Sequence, residues 1–425
     1  MKGRLARASL KTAIMLGLRV ATQAGTLILL TRLLGPSRYG NYAAAASLAI
    51  VLGTLPNLGS GYIMLSRVSR GPSAIAGVWR YAWPLTVLLG LALLVAFVFA
   101  SSCLVTDPTL TLPLLAGLGV TELLLTPLTM LFSFALQALE RVPLSQVVQW
   151  LPLGLRVVVC GACFALPDKL RLPAFIALQL AASLVGLVGG WLITRRHIQL
   201  DWRPRRATRQ ELKDGASYAA MLLVAFNPSE LDKMIAVRGV GAQQAGIYIA
   251  CSRIMNALVM PVVAMLMAAQ PRLFRLRDEV SHQHYRLVWT IAIIALGWGV
   301  VCGLALALLS PYLTWVLGPT FAGSAELLRW LAVTPVLISM RNAAGCVLAA
   351  LGRPLERLGF ELGGVLILAA SMLVLTPRFG VYGLVASVIV AEICMTVAGW
   401  ALVRRLMRRY KAGLEQTPPD SSRAI

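Results

Sequence analysis

Charged and amide side chains interrupt several long apolar stretches of this chain, and their types and spacing suit the binding of an anion. The cations and amides concerned are Arg19, Gln23, Arg156, Arg253, Asn256 and Arg341. Arg19 and Gln23 are four residues apart and Arg253 and Asn256 are three apart, so each pair shares one side of a helix. A charge at bilayer depth costs roughly 2.5–3.5 kcal/mol on insertion scales, so such groups usually face a cavity or a partner. These six residues are predicted to bind substrate.

Arginine is well suited to a phosphate because its planar guanidinium donates two parallel hydrogen bonds and keeps its charge. Arg19 and Arg253 lie deepest in their apolar stretches and in different halves of the chain. We therefore expect these two to hold the anion together, with Arg156 and Arg341 as weaker candidates. A diphosphate-linked lipid, a nucleotide sugar and a simple organic anion all satisfy this chemistry.

Carboxylates also lie within the apolar stretches, where they could couple transport to an ion. The candidates are Glu122, Asp232 and Glu392, and the coupling ion is a sodium ion or a proton. The alternative is that these acids only neutralise the buried cations. The sequence leaves both interpretations open.

The composition requires a membrane protein. Hydrophobic residues make up 58% of the 425 residues and charged residues 13%, whereas about 25% of a typical soluble protein is charged. About twelve stretches are long enough for a membrane helix, which needs about 20 mainly apolar residues. They predict an all-α integral membrane fold. Cys160 and Cys163 form a CxxC inside one stretch, where small-residue packing is the expected role.

Two short sequences recur in the second half of the chain. Residues 30–45, LTRLLGPSRYGNYAAA, return with an offset of about 206 in residues 234–251, MIAVRGVGAQQAGIYIAC. LQALER at 136–141 returns as LAALGR at 348–353, with an offset of 212. Both recurrences join corresponding apolar stretches, so they indicate two six-helix halves related by a parallel pseudo-repeat. The predicted parts are an N-terminal lobe (1–200), a basic cytoplasmic linker (201–214), a C-terminal lobe (215–410) and a disordered cytoplasmic tail (411–425).

The basic residues predict the orientation. If the N-terminus is cytoplasmic, 26 of the 39 Lys and Arg residues fall in inner segments and 6 within spans. The outer connections hold the other seven, which are Arg32, Arg38, Lys169, Arg171, Lys233, Arg238 and Arg378. The positive-inside rule then places both termini in the cytoplasm. Anionic membrane lipid explains the net charge of +22 better than nucleic acid does.

Several functions are disfavoured by what the sequence lacks. It contains no GxxxxGK[ST] loop, so a single-chain ATP-driven pump is not expected. The outer connections are short for a membrane glycosyltransferase or polymerase, which would carry its acids and bases there. A non-enzymatic transporter is predicted, with neither a metal nor a cofactor.

The Gly-Tyr connection TRLLGPSRYGNYAAA, its later counterpart LDKMIAVRGVGAQQAGIYIACSRI and the twelve spans resemble the oligosaccharide flippases. These are the O-antigen and exopolysaccharide repeat-unit translocases of the multidrug, oligosaccharidyl-lipid and polysaccharide exporter (MOP) superfamily. The resemblance covers about residues 5 to 410. The resemblance implies a transporter that moves an undecaprenyl-diphosphate-linked oligosaccharide across a bacterial inner membrane by alternating access. It also implies polysaccharide polymerases as possible partners. Lipid II flippases usually have two further helices, so peptidoglycan precursor is a less expected cargo. A cation-coupled multidrug antiporter of the same superfamily is the alternative.

Overall fold

A computed structural model describes residues 2–68, 71, 74–226, 228–275 and 282–415. Within these ranges the chain is helical and contains no strand, as the composition predicts. The helices are α1 (Lys2–Gly53), α2 (Ser60–Val68), α3 (Ala74–Leu104), α4 (Leu112–Val120), α5 (Thr126–Ala138), α6 (Val142–Cys163), α7 (Asp168–Arg195), α8 (Arg209–Phe226), α9 (Pro228–Val240), α10 (Ala242–Arg275), α11 (His282–Leu309), α12 (Leu313–Leu317), α13 (Ser324–Leu331), α14 (Thr334–Ala350) and α15 (Pro354–Glu415).

The helices account for twelve spans. Eight helical segments of the described chain are long and apolar enough to cross a membrane. One of them covers 54 residues of α15, about 80 Å of helix, which is too long for a single crossing of a hydrocarbon core about 30 Å thick. It breaks at Gly380, whose backbone is not helical, and so supplies two spans. That makes nine spans, and the parts of α1 before and after its own break at Gly35 add two more. Helices α8 and α9 together form one further span, which completes the twelve.

The break in α1 is dictated by two consecutive residues. Pro36 disfavours helical backbone angles in the residue before it, and Gly35 adopts a φ of 69° that side chains rarely tolerate. Pro36 then opens a new helical stretch, where its missing N–H costs nothing. The recurring segment repeats this geometry, because Gly241 has a φ of 81° between α9 and α10.

Both members of the second recurrence end a helix in the same way. The Arg141 amide donates to the Leu136 carbonyl at 3.0 Å, and the Arg353 amide donates to the Leu348 carbonyl at 2.9 Å. The residue before each of these amides, Glu140 or Gly352, has a positive φ. The two turns are therefore matching Schellman caps. The recurrence marks a repeated structure as well as a repeated sequence.

The chain divides into two compact units. The first contains residues 1–250 and 314–322, and the second contains residues 251–313 and 323–425. The first unit thus extends past residue 200, the end of the predicted N-terminal lobe, and takes in α8 and α9. The lobes as bounded from the sequence stay a prediction. The predicted tail begins inside α15, which continues to Glu415, and residues 416–425 lie outside the described residues.

The connection between α7 and α8 is fastened to the first unit by one buried carboxylate. Glu211 lies 2.7 Å from Arg67 and 2.9 Å from Arg205, and it also accepts the Thr208 amide. Burial raises the pKa of the Glu211 carboxyl, but hydrogen bonds from its three donors outweigh this effect and bring the pKa to about 2. Glu211 is thus charged throughout the physiological range, which keeps the connection attached.

Candidate functional site

Arg19 lies in the first span with an uncharged partner. Its guanidinium is half-buried, and Nη1 donates to Oε1 of Gln149 on α6 at 2.8 Å. Gln149 in turn donates to the Ser133 hydroxyl at 2.6 Å, so the amide is held in place. This is the only hydrogen bond of Arg19 among the side chains that the structure describes. Gln23, one turn farther along α1, is exposed.

Arg156 belongs to a second polar cluster, which we name the Tyr42 cluster. Tyr42 donates to Oε1 of Gln179 at 3.2 Å and accepts a hydrogen bond from Arg156. Glu122 completes the cluster, because it lies 4.0 Å from Arg156 and accepts from Nε2 of Gln179 at 3.4 Å. Phe175 packs 5.8 Å from the Arg156 guanidinium, within the range of a cation–π contact.

Four separate helical elements are needed to assemble the Tyr42 cluster. Tyr42 comes from α1, Arg156 from α6 and Gln179 from α7. Glu122 lies in a π-helical turn, Thr121–Leu125, between α4 and α5. A π turn inserts one extra residue into a helix and often occurs at functional sites. Its position in the middle of a span shifts the side chains that follow it relative to those before it.

A third polar cluster surrounds Tyr248, the counterpart of Tyr42 in the recurring segment. We name it the Tyr248 cluster. Tyr248 donates to Asp232, whose other oxygen lies 3.2 Å from Nζ of Lys233. All three side chains are buried, and nearby Glu230 accepts from Ser47 at 2.7 Å. Lys233, predicted in an outer connection, lies on α9 and is fully buried; its side of the membrane stays a prediction.

The two tyrosines share a role that the sequence recurrence signals. Tyr42 and Tyr248 occupy equivalent positions, and each hydroxyl contacts a polar cluster that contains a carboxylate. Neither residue was among the predicted site residues, although a tyrosine repeated at one position of both halves is a signal that could have found them. Sequence alone offered no signal for Gln149 or Gln179, since an amide in an apolar stretch has no preferred partner.

The remaining predicted residues lie in the second unit. Arg341 on α14 and Glu392 on α15 are buried and form an ion pair, with Nε of the arginine 2.9 Å from a carboxylate oxygen. Arg253 and Asn256 are half-buried on α10. The joint role of Arg19 and Arg253 stays a prediction, because the two residues belong to different units.

The described residues offer no grouping of metal ligands. No set of three or more His, Cys, Asp or Glu side chains in the described ranges could hold a metal ion. Cys160 and Cys163 are buried free thiols at the end of α6. Both are fully buried, and their packing role stays a prediction.

Comparison with known proteins places the chain in context. The sequence model of the family described as "polysaccharide biosynthesis protein" matches residues 10–277. No curated protein matches the chain.

Solved structures share the fold along the whole chain. An inward-facing multidrug resistance MATE family transporter of the MOP superfamily aligns over 95% of this chain and 99% of its own, with a TM-score of 0.77 and 14% identity. An outward-facing MATE transporter aligns over 97% and 96%, with a TM-score of 0.58 and 16% identity. A MOP superfamily transporter from Pyrococcus furiosus with a binding pocket of reverse polarity aligns over 96% of both chains, with a TM-score of 0.65 and 16% identity. At these identities the likeness establishes the fold alone, the twelve-helix architecture that these proteins have.

Proposed function

Because the chain belongs to the polysaccharide biosynthesis protein family and has the fold of the MOP transporters, we propose that it is a flippase for a lipid-linked oligosaccharide. In this proposal it moves an undecaprenyl-diphosphate-linked repeat unit from the inner to the outer leaflet by alternating access. It acts in the bacterial inner membrane, with both termini in the cytoplasm. It catalyses no covalent chemistry.

The uncompensated charge of Arg19 is the observation that carries the proposal. A guanidinium half-buried in a span is costly to leave without a counter-charge, and the described partner of Arg19 is a neutral amide. A diphosphate would supply the missing negative charge. Gln149 keeps the guanidinium extended from α1 without neutralising it, so the arginine is prepared for an anionic cargo.

Arg156 is a candidate for a second contact that depends on the state of Glu122. Its distance of 4.0 Å from that carboxylate is at the outer limit of an ion pair, and both side chains keep some exposure, 21% and 17%. Protonation of Glu122 or its binding of a sodium ion would weaken its hold on Arg156. Arg156 could then turn toward the diphosphate, which would link an ion gradient to cargo binding.

Glu122 fits the coupling role better than the two other predicted acids. Glu392 is 2.9 Å from Arg341, and Asp232 contacts both Lys233 and Tyr248 in a buried setting. A carboxylate whose oxygens already contact a buried cation or hydroxyl has less room for a coupling ion than one at the outer limit of an ion pair. We therefore assign ion coupling to Glu122 and a structural role to the other two carboxylates.

Complementation of cells that lack their own flippase tests the function. Arg19→Ala and Arg253→Ala should nearly abolish transport. Arg19→Lys and Arg253→Lys should retain part of it, because lysine keeps the positive charge but lacks the planar guanidinium that donates two parallel hydrogen bonds. The measurement is the amount of lipid-linked glycan that accumulates on the inner leaflet. Arg404→Ala is a suitable control, since Arg404 is exposed near the end of α15.

Protein level and thermal unfolding are measured beside transport so that misfolding is not mistaken for lost function. If both Ala variants fold and clear the intermediate normally, the assignment of an anion site to Arg19 and Arg253 is wrong. Export of cationic drugs by the wild-type protein, with no effect on the glycan, would favour the multidrug antiporter instead.

A further inference from the structure

An open cavity of about 870 Å³ lies in the first unit beside the break in α1. Its polar lining includes Arg32, Arg38, Asn41, Asp107, Asp168 and Arg171. The three arginines come from two helices, α1 and α7. All three are among the few basic residues that the positive-inside count leaves in outer connections, where such residues are uncommon. Their convergence on one cavity therefore needs an explanation.

Two of the arginines share one carboxylate. Nη1 of Arg38 lies 2.8 Å from Oδ2 of Asp168, and Nη1 of Arg171 lies 3.4 Å from Oδ1 of the same residue. The Asp168 side chain is 61% exposed, so water screens its charge. One solvated carboxylate thus faces two guanidinium groups.

Arg32 is held by groups that carry no net charge. Its Nε donates to the Val316 carbonyl at 2.9 Å, and its Nη2 donates to the Trp315 carbonyl at 2.6 Å. The second carboxylate of the lining, Asp107, accepts the amide and the hydroxyl of Thr109 at 2.9 and 2.7 Å. The Asp107 carboxylate therefore stabilises the local turn, and it forms no salt bridge with any of the described residues. The cavity therefore presents an excess of oriented positive charge.

We propose that this cavity binds the phosphate group of a lipid headgroup. Each guanidinium has five N–H donors, and the described contacts of the three arginines use only some of them. Phosphate oxygens accept several such donors at once, more than a carboxylate can. The volume lies within the range of small-molecule sites, about 300–1,000 Å³, and leaves room for the sugar or glycerol next to the phosphate.

This inference rests on the proposed function and adds a second position for the cargo. Arg32 lies thirteen residues after Arg19 on the same unbroken stretch of α1, about 20 Å farther from the N-terminus. A diphosphate released by Arg19 toward the far leaflet would meet Arg32 next. The cavity would then hold the headgroup before it leaves, or hold a resident anionic phospholipid there.

Binding of inorganic pyrophosphate to the purified protein in zwitterionic nanodiscs tests the site by calorimetry. The variant Arg32→Gln/Arg171→Gln should weaken the cavity component of binding at least about tenfold, as expected from the loss of charged hydrogen bonds. Arg171→Lys should weaken it less. Lys169→Gln is the matched control, because Lys169 is exposed on the same helix and does not line the cavity. Thermal unfolding without ligand verifies that each variant is folded.

The double variant Arg19→Gln/Arg253→Gln separates this proposal from the proposed function. Pyrophosphate binding that persists in it, and is lost on adding the two cavity substitutions, supports the cavity. Binding that is unaffected by the cavity substitutions overturns the cavity proposal, while the transport assay decides the function independently.

Nanodiscs with phosphatidylglycerol distinguish a resident phospholipid from the diphosphate cargo as the occupant of the cavity. Arginine-dependent retention of that lipid, seen by native mass spectrometry, identifies a resident phospholipid, and its absence beside pyrophosphate binding identifies the diphosphate cargo.

Discussion

The buried cations of this chain differ in what neutralises them. Arg341 has a carboxylate, Glu392, at 2.9 Å, and both side chains are only 7% exposed. Arg19 has an amide. A paired buried charge is costly to separate, whereas a charge beside a neutral dipole is available to an incoming anion. Substitutions at these two arginines should therefore have different consequences, although the sequence predicted a binding role for both.

Arg341→Met should reduce stability by about 3–5 kcal/mol, because it leaves Glu392 charged and buried without its cation. The double variant Arg341→Met/Glu392→Leu should recover most of this loss and transport normally per folded molecule. Thermal unfolding in detergent and inner-leaflet glycan accumulation are the measurements. A stable double variant that does not transport would instead return Arg341 to the substrate site.

Backbone contact between the two recurring segments explains their glycines. A Cβ on Gly246 would overlap the Pro36 carbonyl, and a Cβ on Gly40 would overlap the Ala242 carbonyl. The two helices approach so closely that only a residue without a side chain fits. Gly35 and Gly241 serve the neighbouring turns through their positive φ. The close contacts and the positive φ values thus give all four glycines a structural role.

Gly40→Ala and Gly246→Ala should each lower the amount of folded protein strongly, since neither neighbouring carbonyl can move without shifting a helix. Gly25→Ala is the control, because nothing lies within 4 Å of the added atom, and Ala should be neutral or slightly stabilising there. The measurements are folded yield and transport per folded molecule. Normal yield with abolished transport would place these glycines in the transport mechanism.

Glu140 holds a backbone conformation that suits glycine, and its counterpart in the repeat is Gly352. Glu140→Gly should stabilise the first unit by about 0.5–1 kcal/mol, because it removes the strain of a positive φ. Gly352→Ala should destabilise by a similar amount. Unfolding midpoints of the two variants provide the comparison. A loss of stability in Glu140→Gly would indicate that the exposed carboxylate makes a contribution larger than the strain.

The orientation of the molecule in the membrane gives a further prediction. Both termini and the α7–α8 connection should face the cytoplasm, and the segment after α12 should face outward. An impermeant thiol reagent applied to intact cells should therefore modify Ala322→Cys and leave Arg206→Cys unmodified. Both positions are exposed, and Cys103, the exposed native thiol, is replaced by Ser in the background. Labelling of Arg206→Cys from outside would refute the span assignment.

Local sequence was sufficient for the properties that depend on nearest neighbours. The lengths of the apolar stretches predicted the helical class and the number of spans, because each stretch must by itself be long enough to cross the membrane and must satisfy its own backbone hydrogen bonds. The two recurrences located the turns at Gly35, Gly241, Glu140 and Gly352, since a turn is specified by residues a few positions apart. The arginines within the spans were recognisable for the same reason, because a charged residue differs clearly from the apolar residues on either side of it in the sequence.

Side-chain contacts between residues distant in sequence could be identified only from the fold. Tyr42 reaches Gln179 across 137 residues, Arg19 reaches Gln149 across 130, and Arg32 reaches Val316 across 284. No periodic pattern encodes such contacts, because they depend on how helices pack and on where Gly35 and the π turn at Glu122 redirect the chain. Whether a buried charge is compensated depends on those distant partners. For this reason the sequence could name the charged residues, and packing had to separate Arg341, paired with Glu392, from Arg19, whose described partner is a neutral amide.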